Sequence, residues 1–355
     1  MGPMPGYPLG PPRICNHEHP STMVETLNPP PAPVRRQTIS DLPVQHALHP
    51  ASPAQSRARF FNPGNAFDIR LPEVPDHIFT DEPRRAMAAG TPTGLITCDL
   101  SREMACSFPA TSPLMLARYA RVRAGENLQT AFVASGVICY VIQGEGSSSG
   151  ASGSIQWQAG DVFILPGGES FTHAGQSDSV LWIVTNEPQL AFESLRPPVV
   201  GKAPTDLVHY TAPEIARQLK MLQDTGRDEA TAGTAVLFSS DRQEANRNIL
   251  PTLTLAMNAL PPRSSQRAHR HNAAALMLLI HDTGCYSLMD GKRKDWVQWA
   301  TTVTPPVSVH SHYNDGEQQA QFLVVQDGGL FYHMRAMGFS FAQHPESAAV
   351  SSTTN

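Results

Sequence analysis

The chain has 355 residues, 41% of them apolar and 16% charged, with a formal net charge of −5. That length accommodates two compact domains, and the apolar share supplies ample core. The slight acidic balance excludes the basic stripe of a nucleic-acid-binding protein, and no block of like charge addresses an anionic membrane surface.

Residues 1–57 are Pro-rich, most densely at "LNPPPAPV". Proline removes backbone donors and fixes φ, so extended or disordered chain is expected there. The opening "MGPMPGYPLGPPR" has neither a basic start nor an apolar h-region, so no secretory signal is read. Residues 58–108 form a mixed N-terminal extension. Within it "DEPRRAMAAG", Asp81 to Gly90, reads as a short helix: acid at the start, proline in the first turn, glycine at the end.

From Met115 the texture turns to short β-type runs separated by Gly-rich turns: "LMLARYARVRAGENL", "GVICYVIQGEG", "GSIQWQAGDVFILPGG" and "SDSVLWIVTNEP". This spacing predicts a sandwich or barrel over 109–200 rather than a βαβ fold. "GEGSSSGASGS", Gly144 to Ser154, lacks a lysine and a following helix, so it reads as a hairpin loop and not a phosphate cradle. Residues 201–240 differ. "TAPEIARQLKMLQDTGRD" places Ile215, Leu219 and Leu222 at helical spacing, with Thr211 as N-cap and Gly226 as stop, and reads as an amphipathic linker helix.

The β-texture returns over 241–345, with "MDGK" at Met289–Lys292 as a hairpin turn, because Asp-Gly tolerates positive φ. The last residues, 346–355, read as a disordered tail. The longest apolar run is Ala273 to Ile280, and a membrane span needs about twenty residues, so no membrane partner is expected. The five cysteines (Cys15, Cys98, Cys106, Cys139 and Cys285) are odd in number and dispersed, which suits a reduced, cytoplasmic protein. The two β-blocks follow one order with a period of about 140 residues, the mark of a duplicated domain.

The second block carries two His-x-His pairs, His269/His271 in "RAHRHNAAALMLLI" and His310/His312 in "VHSHYN". On a strand, residues i and i+2 share a face, so each pair can aim into one barrel interior. Imidazole is a common ligand for Fe, Zn, Cu and Ni, and two such pairs in one predicted sheet domain make a credible metal cage. His281 reads as a satisfied histidine, Trp296 and Trp299 as core or interface. Met277, Met289, Met334 and Met337 are candidates for an apolar pocket wall or for plain core. His333 and Arg335 fall on what reads as a late strand that could line the same barrel. No GxSxG, CxxC or HExxH motif is present, so a serine or cysteine nucleophile has no support.

At these residues the chain resembles the bicupins, proteins of two tandem cupin (double-stranded β-helix, jelly-roll) barrels. "GDVFILPGGESFTH" in the first block resembles the second cupin motif; in the second block "HRH" resembles the first motif and "PPVSVHSHYN" the second, with His310 and Asn314 in H-x3-N spacing. Within the bicupins the pattern Arg267-Ala-His269-Arg-His271, Asp290-Gly291, Thr304-Pro305-Pro306 and His310-Ser-His312 resembles the gentisate and salicylate 1,2-dioxygenases. The resemblance implies an all-β-dominated fold with a few short helices and a non-haem Fe(II), extradiol-type ring-cleaving dioxygenase. It implies His269, His271 and His310 as iron ligands and His312 as the catalytic group beside the metal. It implies a small hydroxylated aromatic substrate with O2, and a homo-oligomer, tetramer or dimer.

Three features shape the expectation, the last two of them departures from the family pattern. Ala275 and Leu276 stand where most cupins place a glutamate ligand. The first block has no His-x-His and retains His173, so its barrel is expected to be metal-free and structural. Met277 occupies the position of an arginine that grips the substrate carboxylate in the family. Arg335, Arg263 and Arg270 are candidate replacements; otherwise the substrate is not a 2-carboxyphenol. Met277, Arg335 and His333 are therefore the expected substrate-binding residues. A non-oxidative cupin enzyme (hydrolase, isomerase or decarboxylase) using Mn, Zn or Ni, and a non-catalytic binding bicupin, are the alternatives.

Overall fold

A computed structural model describes residues 37–225 and 233–342. The expectations for the proline-rich residues before 37, for Gly226 and for the tail lie outside the described residues. The chain divides into two compact units, Met1–Arg70 and Leu71–Asn355. In the first, a 3₁₀ turn (Ile39–Asp41) precedes the short antiparallel ladder of β1 (Gln45–His46) and β2 (Arg59–Phe60), with α1 (Pro53–Ser56) between the strands.

The second unit opens with β3 (Ile78–Phe79), α2 (Asp81–Met87) and β4 (Gly94–Cys98). Eight antiparallel strands follow: β5 (Leu116–Val122), β6 (Asn127–Thr130), β7 (Gly136–Gln143), β8 (Glu145–Gly150), β9 (Gly153–Gln158), β10 (Val162–Pro166), β11 (Phe171–Gly175) and β12 (Ser179–Thr185). Then come α3 (Glu187–Phe192), β13 (Val208–Tyr210) and α4 (Ala212–Thr225). The second run comprises β14 (Thr234–Phe238), β15 (Thr254–Leu260), β16 (Ser264–Ser265), β17 (His269–His271), β18 (Ala275–Leu279), β19 (Cys285–Met289), β20 (Lys292–Asp295), β21 (Thr301–Thr304), β22 (His310–Asn314) and β23 (Ala320–Gln326). Helix α5 (Gly328–Met334) and β24 (Phe339–Phe341) close the described chain.

Each half builds one six-stranded sheet against the shared core and a second sheet, of four strands in the first half and six in the second. The first half gives β13-β10-β7-β12-β5-β4 and β6-β11-β8-β9; the second gives β14-β15-β23-β18-β21-β3 and β20-β19-β22-β17-β24, with β16 beside β22. The extension and the helical linker are thus partly sheet. β4 and β13 edge the first half's core-side sheet, while β3 and β14 edge the second's. Gly144 to Ser154, expected as a loop, is mostly ladder, with β8 and β9 paired as far as Gly150 and Gly153.

The apolar pattern explains this arrangement. β5, β7, β12 and β18 are buried on both faces, so they read as continuous rather than alternating apolar runs. One face of each core-side sheet joins a shared core containing Tyr119, Ile138 and Trp182 from the first half and Leu276, Val303 and Leu323 from the second. The Trp182 indole donates to Thr301 Oγ1 at 2.9 Å across that seam. The opposite faces fill two separate interiors, one around Cys139, Phe163 and Ile183, the other around Met277, Trp296 and Phe322.

Local chemistry accounts for the connections. Asp290 and Gly291 have φ of 47° and 80°, the paired positive values of a tight hairpin, so the "MDGK" turn joins β19 to β20 as expected. Helix α4 buries Ile215 and Leu219, and Asp161 Oδ1 caps it by accepting the Ala212 N–H at 2.8 Å. One sequence expectation fails at the end of the chain. His333 lies on helix α5 and Arg335 is its left-handed C-cap, so neither is on a strand. At its start the helix packs closely on the preceding loop: a Cβ at Gly329 would sit 2.6 Å from the Thr252 backbone carbon, so this approach requires glycine. The helix starts after Asp327, whose carboxylate accepts the Ala274 N–H at 2.9 Å.

Candidate metal centre

The two His-x-His pairs lie on β17 and β22, neighbours in the β20-β19-β22-β17-β24 sheet, with His269 directly opposite His310. β17 is not continuous with the apolar run that follows. Asn272 to Ala274 cross over, and β18 joins the core-side sheet. His281 lies beyond β18, where its Nδ1 accepts the Gln321 N–H at 3.0 Å.

His269, His271 and His310 are all buried, and their ligand-capable nitrogens lie within 4.8 Å of one another. Their tautomers follow from their other nitrogens. A backbone carbonyl can only accept, so each Nδ1 carries the proton: His269 donates to Arg267 O at 2.8 Å, His271 to Ala273 O at 2.8 Å and His310 to Ser308 O at 2.9 Å. Each Nε2 is left with its lone pair. The Gln326 amide nitrogen lies 3.2 Å from His271 Nε2, as a donor meeting that lone pair. Such backbone anchoring fixes ring orientation in metal sites generally. Burial lowers all three pKa values, that of His271 to about 4, so the rings are neutral and ready as ligands at neutral pH.

His312 is held differently. Its Nδ1 lies 2.8 Å from Ser287 Oγ, and Ser287 Oγ also accepts the Trp296 indole N–H at 2.8 Å. His312 Nδ1 is the acceptor that the Ser287 hydroxyl meets among the described residues, so the serine proton directed at it leaves the imidazole proton on Nε2. His312 therefore presents a donor where its three neighbours present lone pairs. Burial, followed by the neighbouring His269 and His271, pushes its pKa down to about 3, so it is neutral.

His269, His310 and His312 border a cavity of about 480 Å³, within the range of small-molecule pockets, and Gln326, which meets His271 Nε2, borders it too. Met277, Phe322 and Val324 supply apolar wall; Asn258, Gln266 and Thr304 supply polar wall. No Asp or Glu lines it. Three neutral imidazoles without a carboxylate fit a divalent metal whose charge is balanced by an anionic ligand from outside the protein.

Of the expected substrate-binding residues, Met277 lines this cavity, whereas His333 and Arg335 border a different depression, with Gln243 and Pro251. The Arg335 guanidinium donates to the His333 carbonyl. Arg263 pairs with Glu317, and Arg270 donates to Ser340 Oγ. Met289 is buried outside the cavity, and Met334 is exposed on α5. Sequence reasoning missed the Ser287–Trp296 support, and it missed exposed Arg247, the cationic Lys or Arg side chain among the cavity's lining residues. The first was detectable. Ser148, Trp157 and His173 repeat the same spacing in the first half, and nine residues separate serine from tryptophan in both.

A gentisate 1,2-dioxygenase from a Ralstonia species is 30% identical over 82 residues, which are 23% of this chain and 23% of that protein. The chain thus matches less than a quarter of this relative's length. The crystal structure of the salicylate 1,2-dioxygenase of Pseudaminobacter salicylatoxidans superposes with a TM-score of 0.64 at 13% identity, over 78% of this chain and 91% of that one. The same enzyme in adducts with gentisate gives a TM-score of 0.64 at 15% identity, over 78% and 87%. No family model matches the chain. The chain therefore has the two-barrel cupin fold of these dioxygenases, as its motifs led us to expect. Among the described residues no helix is long and apolar enough to cross a membrane.

Proposed function

We propose that the chain is an Fe(II)-dependent, ring-cleaving dioxygenase that acts on a small hydroxylated aromatic compound with O2. The observation that carries this reading is the three-histidine group of His269, His271 and His310, whose ligand nitrogens lie within 4.8 Å of one another, with His312 beside it at one cavity. The names of the similar proteins, a gentisate and a salicylate 1,2-dioxygenase, support the reaction class.

In this reading His269, His271 and His310 hold the metal, and the 241–345 barrel carries the chemistry. The 109–200 barrel is structural. Bound Fe(II) would supply open positions for a phenolate and O2 and a path for electron density between them. The protein's own contribution is positional. Met277, Phe322 and Val324 form one apolar wall against which the ring packs. His312 Nε2–H donates to an oxygen of the bound phenol, and its neutral state in a buried site makes it a hydrogen-bond donor rather than a cation.

Oxygen uptake by protein reconstituted anaerobically with Fe(II), against a panel of hydroquinones, catechols, salicylates and gentisate, tests this. Uptake is expected on at least one compound, with loss in His269→Ala and a fall of roughly a hundredfold or more in kcat for His312→Phe. Metal-loaded protein that consumes no oxygen on any member of the panel would instead favour a non-oxidative cupin enzyme.

A further inference from the structure

We infer that Gln326 is a fourth protein ligand to the metal, through the oxygen of its side-chain amide. The inference rests on the reading of His269, His271 and His310 as a metal site, and it completes that site from another strand, β23.

Gln326 ends β23, is half-buried and lines the cavity. In the ladder it lies directly opposite Ala275 of β18 and Thr254 of β15, which line the same cavity. The short Ala275 side chain leaves room there, and the longer amide reaches the histidines. Among the described residues it is the side chain that hydrogen-bonds a ligand-side nitrogen of the three: its Nε2 donates to His271 Nε2 at 3.2 Å. That nitrogen has a lone pair to offer because His271 Nδ1 donates to Ala273 O. A bound metal uses the same lone pair, so amide and metal compete for it. An amide N–H left aimed at a cation is repelled, and the amide must turn.

A half-turn about the last side-chain bond exchanges the two ends of the amide and brings Oε1 to where Nε2 was. Among the described residues Oε1 accepts no hydrogen bond, so the turn gives up only the bond that metal binding already removes. Two donors at right angles, each about 2.1 Å from one ion, stand about 3 Å apart. The 3.2 Å between Gln326 and His271 matches the spacing of neighbouring ligands. An amide carbonyl is a hard, neutral oxygen donor of a kind that divalent cations take, and no Asp or Glu lines the cavity to compete for the position. The first barrel provides the contrast. Thr185 ends β12 as Gln326 ends β23, opposite Val137 rather than Ala275, and its hydroxyl donates to Glu187 Oε2 at 2.7 Å. The amide stands in the barrel that has the three histidines. Four protein donors leave two positions on a six-coordinate ion, enough for one phenolate oxygen and O2.

Titration with Co(II), read by chelator competition and by the visible ligand-field spectrum, tests the inference without turnover. Wild type should bind one Co(II) per chain. Gln326→Leu should bind it about tenfold more weakly or worse, the scale on which even the outer partners of metal ligands act, and with an altered spectrum. Gln326→Glu separates a ligand from a mere hydrogen-bond donor. It keeps an oxygen at the ligand position, but when ionised it cannot donate to His271 Nε2. It should bind Co(II) at least as tightly as wild type. Equal weakening in the two variants would show that the amide serves only as a donor to His271, and would overturn the inference while leaving the three-histidine site intact. Wild-type affinity and spectrum in Gln326→Leu would overturn it as well. A leucine variant that does not fold leaves the decision to Gln326→Glu: binding as tight as wild type or tighter upholds the ligand, and weaker binding overturns it. Wild type that binds no Co(II) would overturn the metal site itself.

Discussion

The two barrels carry the same buried device and use it for different ends. In the first, the Trp157 indole donates to Ser148 Oγ at 2.9 Å, and Ser148 Oγ lies 2.8 Å from His173 Nδ1. In the second, Trp296, Ser287 and His312 repeat this arrangement. The strand registers match as well: His173 faces Ser148 and His312 faces Ser287, while Thr130 faces Phe171 where His269 faces His310. Threonine and phenylalanine thus stand in the first barrel where the second has ligands. His173 Nε2 then meets Thr130 Oγ1 at 3.0 Å, so both of its nitrogens are satisfied within the protein. His312 Nε2 faces a cavity. One fold thus holds a closed polar core around His173 and an open cavity beside His312, and Thr130, Phe132 and Phe171 stand where the second barrel has His269, His271 and His310.

The largest expected effect comes from removing a ligand. Wild-type protein should bind one divalent metal per chain, and His269→Ala or His310→Ala should reduce this to near zero in metal analysis after dialysis. Thr130→Ala, the matched change in the first barrel, should leave stoichiometry untouched. The reverse experiment is sharper. Thr130→His, Phe132→His and Phe171→His together supply the missing imidazoles, with Phe132 standing two residues beyond Thr130 as His271 does beyond His269. A second metal per chain is expected, weaker than the first, because Phe171 is a core side chain whose loss leaves a cavity. A stoichiometry that stays at one would show that the two barrels differ in backbone and not only in these three residues.

Much of this was legible without coordinates, for reasons that differ by residue. The His-x-His pairs were readable because strand periodicity alone puts both members on one face. The Asp290-Gly291 turn was readable because few residue pairs tolerate two positive φ values. The exposed segment around α5 was not. "GGLFYHMRAMGF" has aromatic β-texture, yet it folds as helix α5 with Gly329 packed on Thr252, a contact distant in sequence. Arg335 and His333 were misplaced as a consequence. The edge strands β3, β4, β13 and β14 were hidden for a related reason, since short edge strands are specified by their partners more than by their own pattern.

The histidine of the first barrel also makes a pH prediction. Burial lowers the His173 pKa from 6.5 to about 4. The unfolded chain therefore takes up a proton at higher pH than the folded one. Stability from the neutral ring is fully present above pH 6.5, declines as pH falls towards 4, and levels off below that. The shift corresponds to roughly 3 kcal/mol at most. The difference in melting temperature between wild type and His173→Gln should narrow across this window, because the variant has no ring to protonate. A constant difference from pH 7 to pH 4 would mean that His173 is not buried neutral.

The smallest predicted effect divides the two devices most finely. Ser148→Ala and Ser287→Ala each strand a buried indole N–H and free a histidine Nδ1, so each should destabilise the fold by about 1–3 kcal/mol. The stability effects should be similar because the surroundings are similar. Their chemical effects should not. Without Ser148, His173 Nε2 still meets Thr130, and nothing at the metal changes. Without Ser287, His312 loses the donor that fixes its proton on Nε2 and is free to present a lone pair to the cavity. Nitrogen-15 chemical shifts of the two histidines would report the tautomers directly. The expected pattern is a tautomer change at His312 in Ser287→Ala, with lower kcat at similar KM, and full activity in Ser148→Ala. Equal catalytic loss in both variants would make the serine a matter of stability alone, and the contrast between the barrels would then reside entirely in the three ligands.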